Sequence, residues 1–269
     1  MAHFLYTSLK ARGVELSRVA FVYGNIAPDY VPALYVRPHF SWTCNHMAKG
    51  KLIVLEGIDG SGKSTQFKLL TDRLRAEGCD FRQVTFPRYE NSSSALLRSY
   101  LNGEFGQDPE DVSAYAASTF FFVDRYASYK TDWGAYYENG GLVFCDRYTT
   151  SNAIHQGAKL PPDELPAFLD WLYDFEFGKM ELPKPDAVLY MDTTLDACLT
   201  QMAHRQAETN THGDIHETHK DYLRSCLETG ASAADRLGWV KIPCPVDGAV
   251  RSIADIHGEI YKIAKGVVD

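Results

Sequence analysis

The chain has 269 residues, 45% hydrophobic and 23% charged, with 35 acidic against 27 basic side chains and a net charge of −8. That is enough apolar material for one sizeable core with or without an appendage, while the acidic balance argues against a surface that coats nucleic acid, so an anionic ligand has to be held by local basic groups. No stretch reads as a membrane span or an export signal, and six cysteines without a CxxC pair point to free thiols in a reducing, cytoplasmic setting.

Residues 1–47 stand apart as an N-terminal extension of unknown role. They carry a short helical pattern at 9–21, then Pro28, Pro32 and Pro38. His39, Cys44 and His46 lack the repeated spacing of a metal site and read as ordinary packing and surface residues. From residue 48 to 269 the chain alternates: strand 51–56, helix 63–76, strand 81–86, a long helix 109–131, strand 142–146, helix 162–177, strand 187–192, helices 194–206 and 216–237, strand 239–242 and helix 249–265. Strands separated by helices predict an α/β fold of three layers, a parallel sheet with helices on both faces. Ligands of such sheets gather beyond the carboxyl ends of the strands.

The first strand runs into Gly57-Ile58-Asp59-Gly60-Ser61-Gly62-Lys63-Ser64-Thr65, which fits the phosphate-binding pattern G-x-x-x-x-G-K-[ST]. Gly57, Gly60 and Gly62 let the backbone wrap a polyphosphate, with the N–H groups of Ser61 to Thr65 and the following helix's dipole turned toward it. Lys63 reaches the β- and γ-phosphates, and the Ser64 hydroxyl ligates Mg2+. This makes the domain a P-loop NTPase fold. Further residues fall at the other strand ends: Phe86-Pro87-Arg88 after the second, and Asp146-Arg147-Tyr148 with Ser151, Asn152 and Gln156 after the third. Phe121 and Arg125, four residues apart on one helix, offer an aromatic plane beside a guanidinium, which suits a base next to a phosphate. Phe120, Phe121 and Phe122 are consecutive, so one of them faces a ligand and the others belong to the core. Asp146-Arg147 also reads as an ion pair closing a strand, and Asn152 as a helix cap.

Taken in order, GIDGSGKSTQ, FPR, FFVDR, DRYTTSNAIHQG, LPKPDAVLYMD and an Asp-x-x-Glu at Asp214 and Glu217 resemble the thymidylate kinase family. The resemblance runs from about residue 50 to the C-terminus. It implies phosphoryl transfer from ATP to dTMP with Mg2+, in a homodimer, with no nucleic-acid or membrane partner. On it, Phe121 stacks on thymine, Asn152 bonds the base edge and Arg125 contacts base or phosphate. Arg88 and Arg147 grip the monophosphate, Phe86, Ser151 and Gln156 complete the acceptor site, and Asp59 orients the acceptor phosphate and shares Mg2+ with Ser64, Asp214 and Glu217.

Two departures from the family pattern stand out. With Gly60 in the loop, the resemblance calls for a catalytic arginine from the lid at 207–217, yet Asn210 and Thr211 occupy the expected places and Arg205 is the nearest cation. Lys63, Asp59, Arg147 and Arg205 are therefore the catalytic candidates. His216-Glu217-Thr218-His219 falls one residue short of a zinc-protease helix and reads as a solvated lid helix. His155 stands where the family places an aromatic ring beside the deoxyribose, which predicts weaker exclusion of a 2′-hydroxyl. Two other activities fit parts of this pattern: a deoxynucleoside kinase, which needs a carboxylate base near the 5′-hydroxyl, and a nucleotide-binding regulatory protein with weakened catalysis.

Overall fold

The structure, a computed structural model, describes residues 49–209, 220–246 and 249–268. The helix expected at 9–21, the histidines and cysteine near residue 40, and the lid positions 210–217 lie outside them.

Five strands form one parallel sheet: β1 (Lys51–Glu56), β2 (Arg82–Thr85), β3 (Leu142–Asp146), β4 (Ala187–Asp192) and β5 (Val240–Pro243), in the order β2-β3-β1-β4-β5. Alternate residues of β1 enter two different cores. Leu52 and Val54 pack with Val143, Cys145, Val188 and Tyr190 on one face. Ile53 and Leu55 pack with Leu142, Phe144, Leu189 and Met191 on the other. A strand buried on both sides has no polar alternation to show, which is why β1 reads as one apolar run.

The second face is covered by α1 (Lys63–Ala76) through Phe67, Leu70 and Leu74, together with the C-terminal helix. α2 (Ala95–Leu101) packs on α3 (Ala114–Ser128) in a separate small cluster of Leu97, Tyr100, Leu101 and Ala117, and the first face carries α3 with α4 (Gly134–Glu138), α5 (Thr149–His155) and α6 (Leu165–Tyr173). After β4 follow α7 (Leu195–Thr209) and α8 (Lys220–Leu237), then β5, the strands β6 (Pro245–Val246) and β7 (Ala249–Val250), and α9 (Ile253–Val268).

Several predicted boundaries are corrected. The long helix expected at 109–131 is two pieces. Asp108 caps a short 3-10 turn, Pro109–Asp111, by a capping box, Val112 is extended, and Ser113 Oγ caps a new start by accepting from the Ala116 N–H at 3.2 Å. Two N-caps five residues apart impose two helix starts. At its far end α3 loosens into a π-helical segment, Tyr129–Trp133, before α4, and α6 does the same at Asp174–Lys179. The helix expected from 249 begins at Ile253, where Ser252 Oγ accepts from the Asp255 N–H at 3.1 Å; Ala249 and Val250 instead pair antiparallel with β6. The short helices α2, α4 and α5 were not anticipated.

Register brings the strand ends level. Leu55 and Thr85 both lie opposite Asp146, so the chain leaves β1, β2 and β3 beside one another. The phosphate loop, the Phe86-Pro87-Arg88 corner and Arg147 thereby share one rim of the sheet.

Candidate functional site

At that rim the loop after β1 turns through two left-handed glycines, Gly60 at φ 77° and Gly62 at φ 82°, the latter capping α1. Gly60 is further constrained by its neighbour, because a Cβ there would stand 2.3 Å from the Cys198 carbonyl oxygen on α7. Around the loop lies a cavity of about 500 Å³ lined by Asp59 to Thr65 with Gln201 and Met202 of α7. A neighbouring cavity of about 590 Å³ continues past Thr65 toward Thr194, Cys244 and Arg251. Of the predicted loop residues, Gly57 lies behind these cavities, its N–H donating to Glu56 Oε1 at 2.9 Å. Lys63 is almost wholly buried and its ammonium donates to Asp146 Oδ1 at 2.8 Å.

A second cavity, about 120 Å³, opens between α3 and α5. It brings together Asp59, Phe86, Phe121, Arg125, Arg147, Ser151, Asn152, His155 and Gln156, which is every predicted acceptor residue except Arg88. Arg88 turns aside: its N–H donates to Asp124 Oδ2 at 2.8 Å, and its guanidinium Nε lies 3.5 Å from Asp124 Oδ1. Among the three phenylalanines, Phe121 lines this cavity, Phe122 packs on Phe175 in the core, and Phe120 packs against Tyr100 and Phe105. Asn152 is no cap. It sits within α5, and its amide donates to the Ser118 carbonyl at 3.2 Å.

Charge is closely balanced here. Arg147 adopts φ 66°, a left-handed conformation that costs a non-glycine residue about 1–3 kcal/mol and gathers at functional sites. Its Nη2 donates to Asp59 Oδ1 at 2.5 Å, while Nη1 lies 3.4 Å from Ser151 Oγ, 3.2 Å from His155 Nε2 and 3.8 Å from Glu56 Oε1. Burial disfavours the charged guanidinium, but Asp59, Glu56 and Asp146 outweigh it and raise its pKa. The alternative reading of Asp146–Arg147 as an ion pair gives way to Asp146 with Lys63 and Asp59 with Arg147.

Burial, with Arg147 beside it, lowers His155 to about 4, so the imidazole is neutral at pH 7. Because a guanidinium only donates, Nε2 accepts and the proton sits on Nδ1, 3.6 Å from Cys226 Sγ. Burial pushes the Cys226 thiol up to about 12, which removes it as a nucleophile.

Three carboxylates in this network, Glu56, Asp124 and Glu176, escaped the sequence reading, and a fourth, Asp146, was read there without its partner. Glu56, wholly buried, accepts from the Thr150 hydroxyl at 2.6 Å and from Ser151 Oγ at 2.9 Å. Asp124 holds Arg88 and the Ser93 hydroxyl. Asp146 holds Lys63, and Glu176, wholly buried, holds Arg125. The available signal was their position: Glu56 ends an apolar strand, Asp124 adjoins Arg125, and Glu176 is the one acid inside Phe175-Glu176-Phe177. A charge amid apolar residues wants a buried partner.

No cluster of three or more potential protein ligands for a metal occurs among the described residues. The arrangement still suits Mg2+, a hard cation that takes one or two carboxylates and completes its shell with water and phosphate oxygens. Ser64 is exposed on the loop cavity, and Asp59 and Asp146 stand beside Lys63 and Arg147. Asp214 and Glu217 lie outside the described residues. Arg205 falls near the end of α7, beyond the part whose side chains are described.

A family model for thymidylate kinase matches residues 55–241. Thymidylate kinase of Mycobacterium tuberculosis is 36% identical over 136 residues, covering 50% of this chain and 62% of that protein, so the chain matches less than two thirds of that relative's length. The Plasmodium falciparum thymidylate kinase is 27% identical over 217 residues, covering 80% of this chain and 89% of that one. A solved thymidylate kinase structure from Candida albicans shares the fold, with a TM-score of 0.57 at 20% identity over 82% of this chain and 94% of that chain.

Proposed function

The chain belongs to the thymidylate kinase family, and from that premise we propose that it transfers the γ-phosphoryl group of ATP to dTMP, giving dTDP and ADP. One observation carries this reading: Asp59 lines both the loop cavity and the second cavity. A triphosphate in the first and a monophosphate in the second would meet across that carboxylate.

On this reading Lys63 leaves or shares Asp146 to neutralise the β- and γ-phosphates, and Arg147 turns from Asp59 toward the acceptor phosphate, with Arg88 reaching it from the Asp124 side. Ser64, Asp59 and Asp146 would hold Mg2+, which supplies charge neutralisation between the two phosphates when bound. The acceptor phosphate is already an anionic nucleophile, so these residues align and neutralise and no general base is needed. Phe121 stacks on the pyrimidine. Both amide atoms of the wholly buried Gln156 lack a hydrogen-bond partner, a cost of about 1–3 kcal/mol per unsatisfied group, and a pyrimidine edge with both donors and acceptors would relieve it. Arg205 supplies the lid's cation.

Residues 48–269 form the kinase domain and 1–47 an extension to it. A homodimer in the cytoplasm belongs to this reading, with the exposed Val123 and Tyr126 on α3 as candidates for its interface. No described helix is long and apolar enough to cross a membrane. The reading is tested by coupled ADP release with dTMP, dUMP, UMP and thymidine as acceptors. dTMP should be turned over best. Turnover of thymidine instead would make the chain a nucleoside kinase, and none at all would leave nucleotide binding without transfer.

A further inference from the structure

Behind the acceptor cavity lies a group to which neither the motifs nor the transfer chemistry assigns a part. Glu176 is wholly buried, and it faces Arg125, itself 2% exposed. The guanidinium donates through Nε to Oε2 at 2.9 Å and through Nη2 to Oε1, a two-point pairing that fixes the plane of the guanidinium. The Thr149 hydroxyl donates to Oε2 at 2.6 Å, and the Asn152 amide lies 3.5 Å from Oε1. Arg125 and Asn152 line the cavity, whereas Glu176 and Thr149 do not. The carboxylate therefore acts from the rear, on two residues that face the base. It reaches that position from the π-helical segment after α6, a distortion that recurs at functional sites.

We propose that Glu176 is a positioning residue for the acceptor base: by pairing with Arg125 it cancels the charge under the pyrimidine, so that the ring is read as its neutral imide and its conjugate anion is not favoured. The pairing uses Nε and Nη2, and leaves the Nη1 donors for the occupant of the cavity. A neutral imide offers carbonyl acceptors for them and an N–H for an amide oxygen such as that of Gln156. An uncompensated guanidinium at the same place would instead favour the deprotonated imide, because unlike charges attract most strongly where water is excluded. The proposal rests on the assignment of this cavity to a pyrimidine monophosphate.

Alkaline titration can report on this pair without interference from its neighbours. The titratable groups around it are Cys145 on β3, Tyr148 at the start of α5 and Tyr173 on α6. Burial raises Cys145 and Tyr148 well above their ordinary values, and Tyr173 to about 12. Lys159, lowered to about 8 by burial, titrates alike in wild type and variant. Two acceptors are therefore compared within each protein.

The test is steady-state kinetics of the full chain and of Glu176→Gln with dTMP and with 5-fluoro-dUMP, whose electron-withdrawing fluorine makes the imide more acidic, at neutral and mildly alkaline pH. Loss of the pairing should raise KM for dTMP about tenfold or more, the scale of one charge-assisted contact, with KM for ATP held. The preference for 5-fluoro-dUMP over dTMP should rise in the variant and widen with pH. Glu176→Asp, which keeps the charge but shortens the reach, should raise KM without changing that preference. An unchanged preference in Glu176→Gln would make the residue merely structural, and an unchanged KM would remove it from the site. If Glu176→Gln does not fold, an Asp variant with wild-type KM overturns the proposal. A wild-type chain that fails to phosphorylate dTMP overturns the acceptor assignment and this proposal together, whereas turnover with insensitive variants overturns the proposal alone.

Discussion

Removing Arg147 separates the acceptor end of the site from the donor end. Its guanidinium touches Asp59, Ser151 and His155 and stands near Glu56, so Arg147→Ala removes a cation proposed to hold the acceptor phosphate and uncovers two carboxylates at the same place. One lost charge-assisted hydrogen bond costs about 1.5–3 kcal/mol, which is about 10- to 150-fold in kcat/KM. The exposed carboxylates repel the incoming phosphate and push the effect toward the upper end, so a loss of about 10²-fold for dTMP is expected, with KM for ATP changed less than about twofold. Steady-state kinetics with each substrate varied in turn measures both. A stability measurement accompanies it: at φ 66° glycine relieves strain that alanine keeps, so Arg147→Gly should be more stable than Arg147→Ala by about 1 kcal/mol while equally impaired. If ATP affinity fell as far as dTMP affinity, or if alanine were as stable as glycine there, the assignment of Arg147 to the acceptor and the strain argument would fail respectively.

Lys63→Ala should abolish transfer, since among the described residues that line the loop cavity Lys63 is the only cation; near-normal turnover by a coupled assay would remove the kinase reading. Gly60→Arg, which puts a cation into the loop itself, should lower both stability and kcat because its Cβ meets the Cys198 carbonyl at 2.3 Å and its φ is 77°; an arginine placed at Asn210 or Thr211 should raise kcat instead, and the reverse pattern would show that α7 yields. For His155 the folded pKa of about 4 lies below the ordinary 6.5, so its contribution to stability is complete above pH 6.5 and is lost as pH falls toward about 4. That amounts to roughly 3 kcal/mol at about 1.4 kcal/mol per unit. Chemical denaturation across that window should show a steeper loss in wild type than in His155→Gln, and parallel curves would contradict it. The sequence expectation of weak sugar discrimination at this position is checked by comparing dTMP with UMP in wild type and His155→Tyr, where an unchanged ratio means the residue does not read the sugar.

The alternation of strands and helices was legible because each strand is short and apolar and each helix repeats near every third or fourth residue. The strand order was not, since pairing of β1 with β3 and β4 leaves no local mark. Helix ends misread at residues 109 and 249 were decided by Asp108, Ser113 and Ser252, whose capping bonds override a continuous helical pattern. Within the site, the residues that face the cavities carried motif spacing: the glycines of the loop, Phe121 with Arg125, and Arg147 with Ser151 and Asn152. The pairings that hold them did not. Asp146 comes 83 positions after Lys63, Arg147 88 after Asp59, and Glu176 51 after Arg125. Such pairings are made by the fold alone. A sequence reading can place a buried acid but cannot say which cation it meets.

The most direct test of the account is to follow the label from γ-labelled ATP, incubated with the full chain, Mg2+ and dTMP. If the two cavities exchange a phosphoryl group across Asp59, the label should appear in the β-phosphate of dTDP with one ADP formed per dTDP. Label released as inorganic phosphate, or recovered in dTMP when thymidine is supplied while dTMP itself is left unchanged, would contradict it.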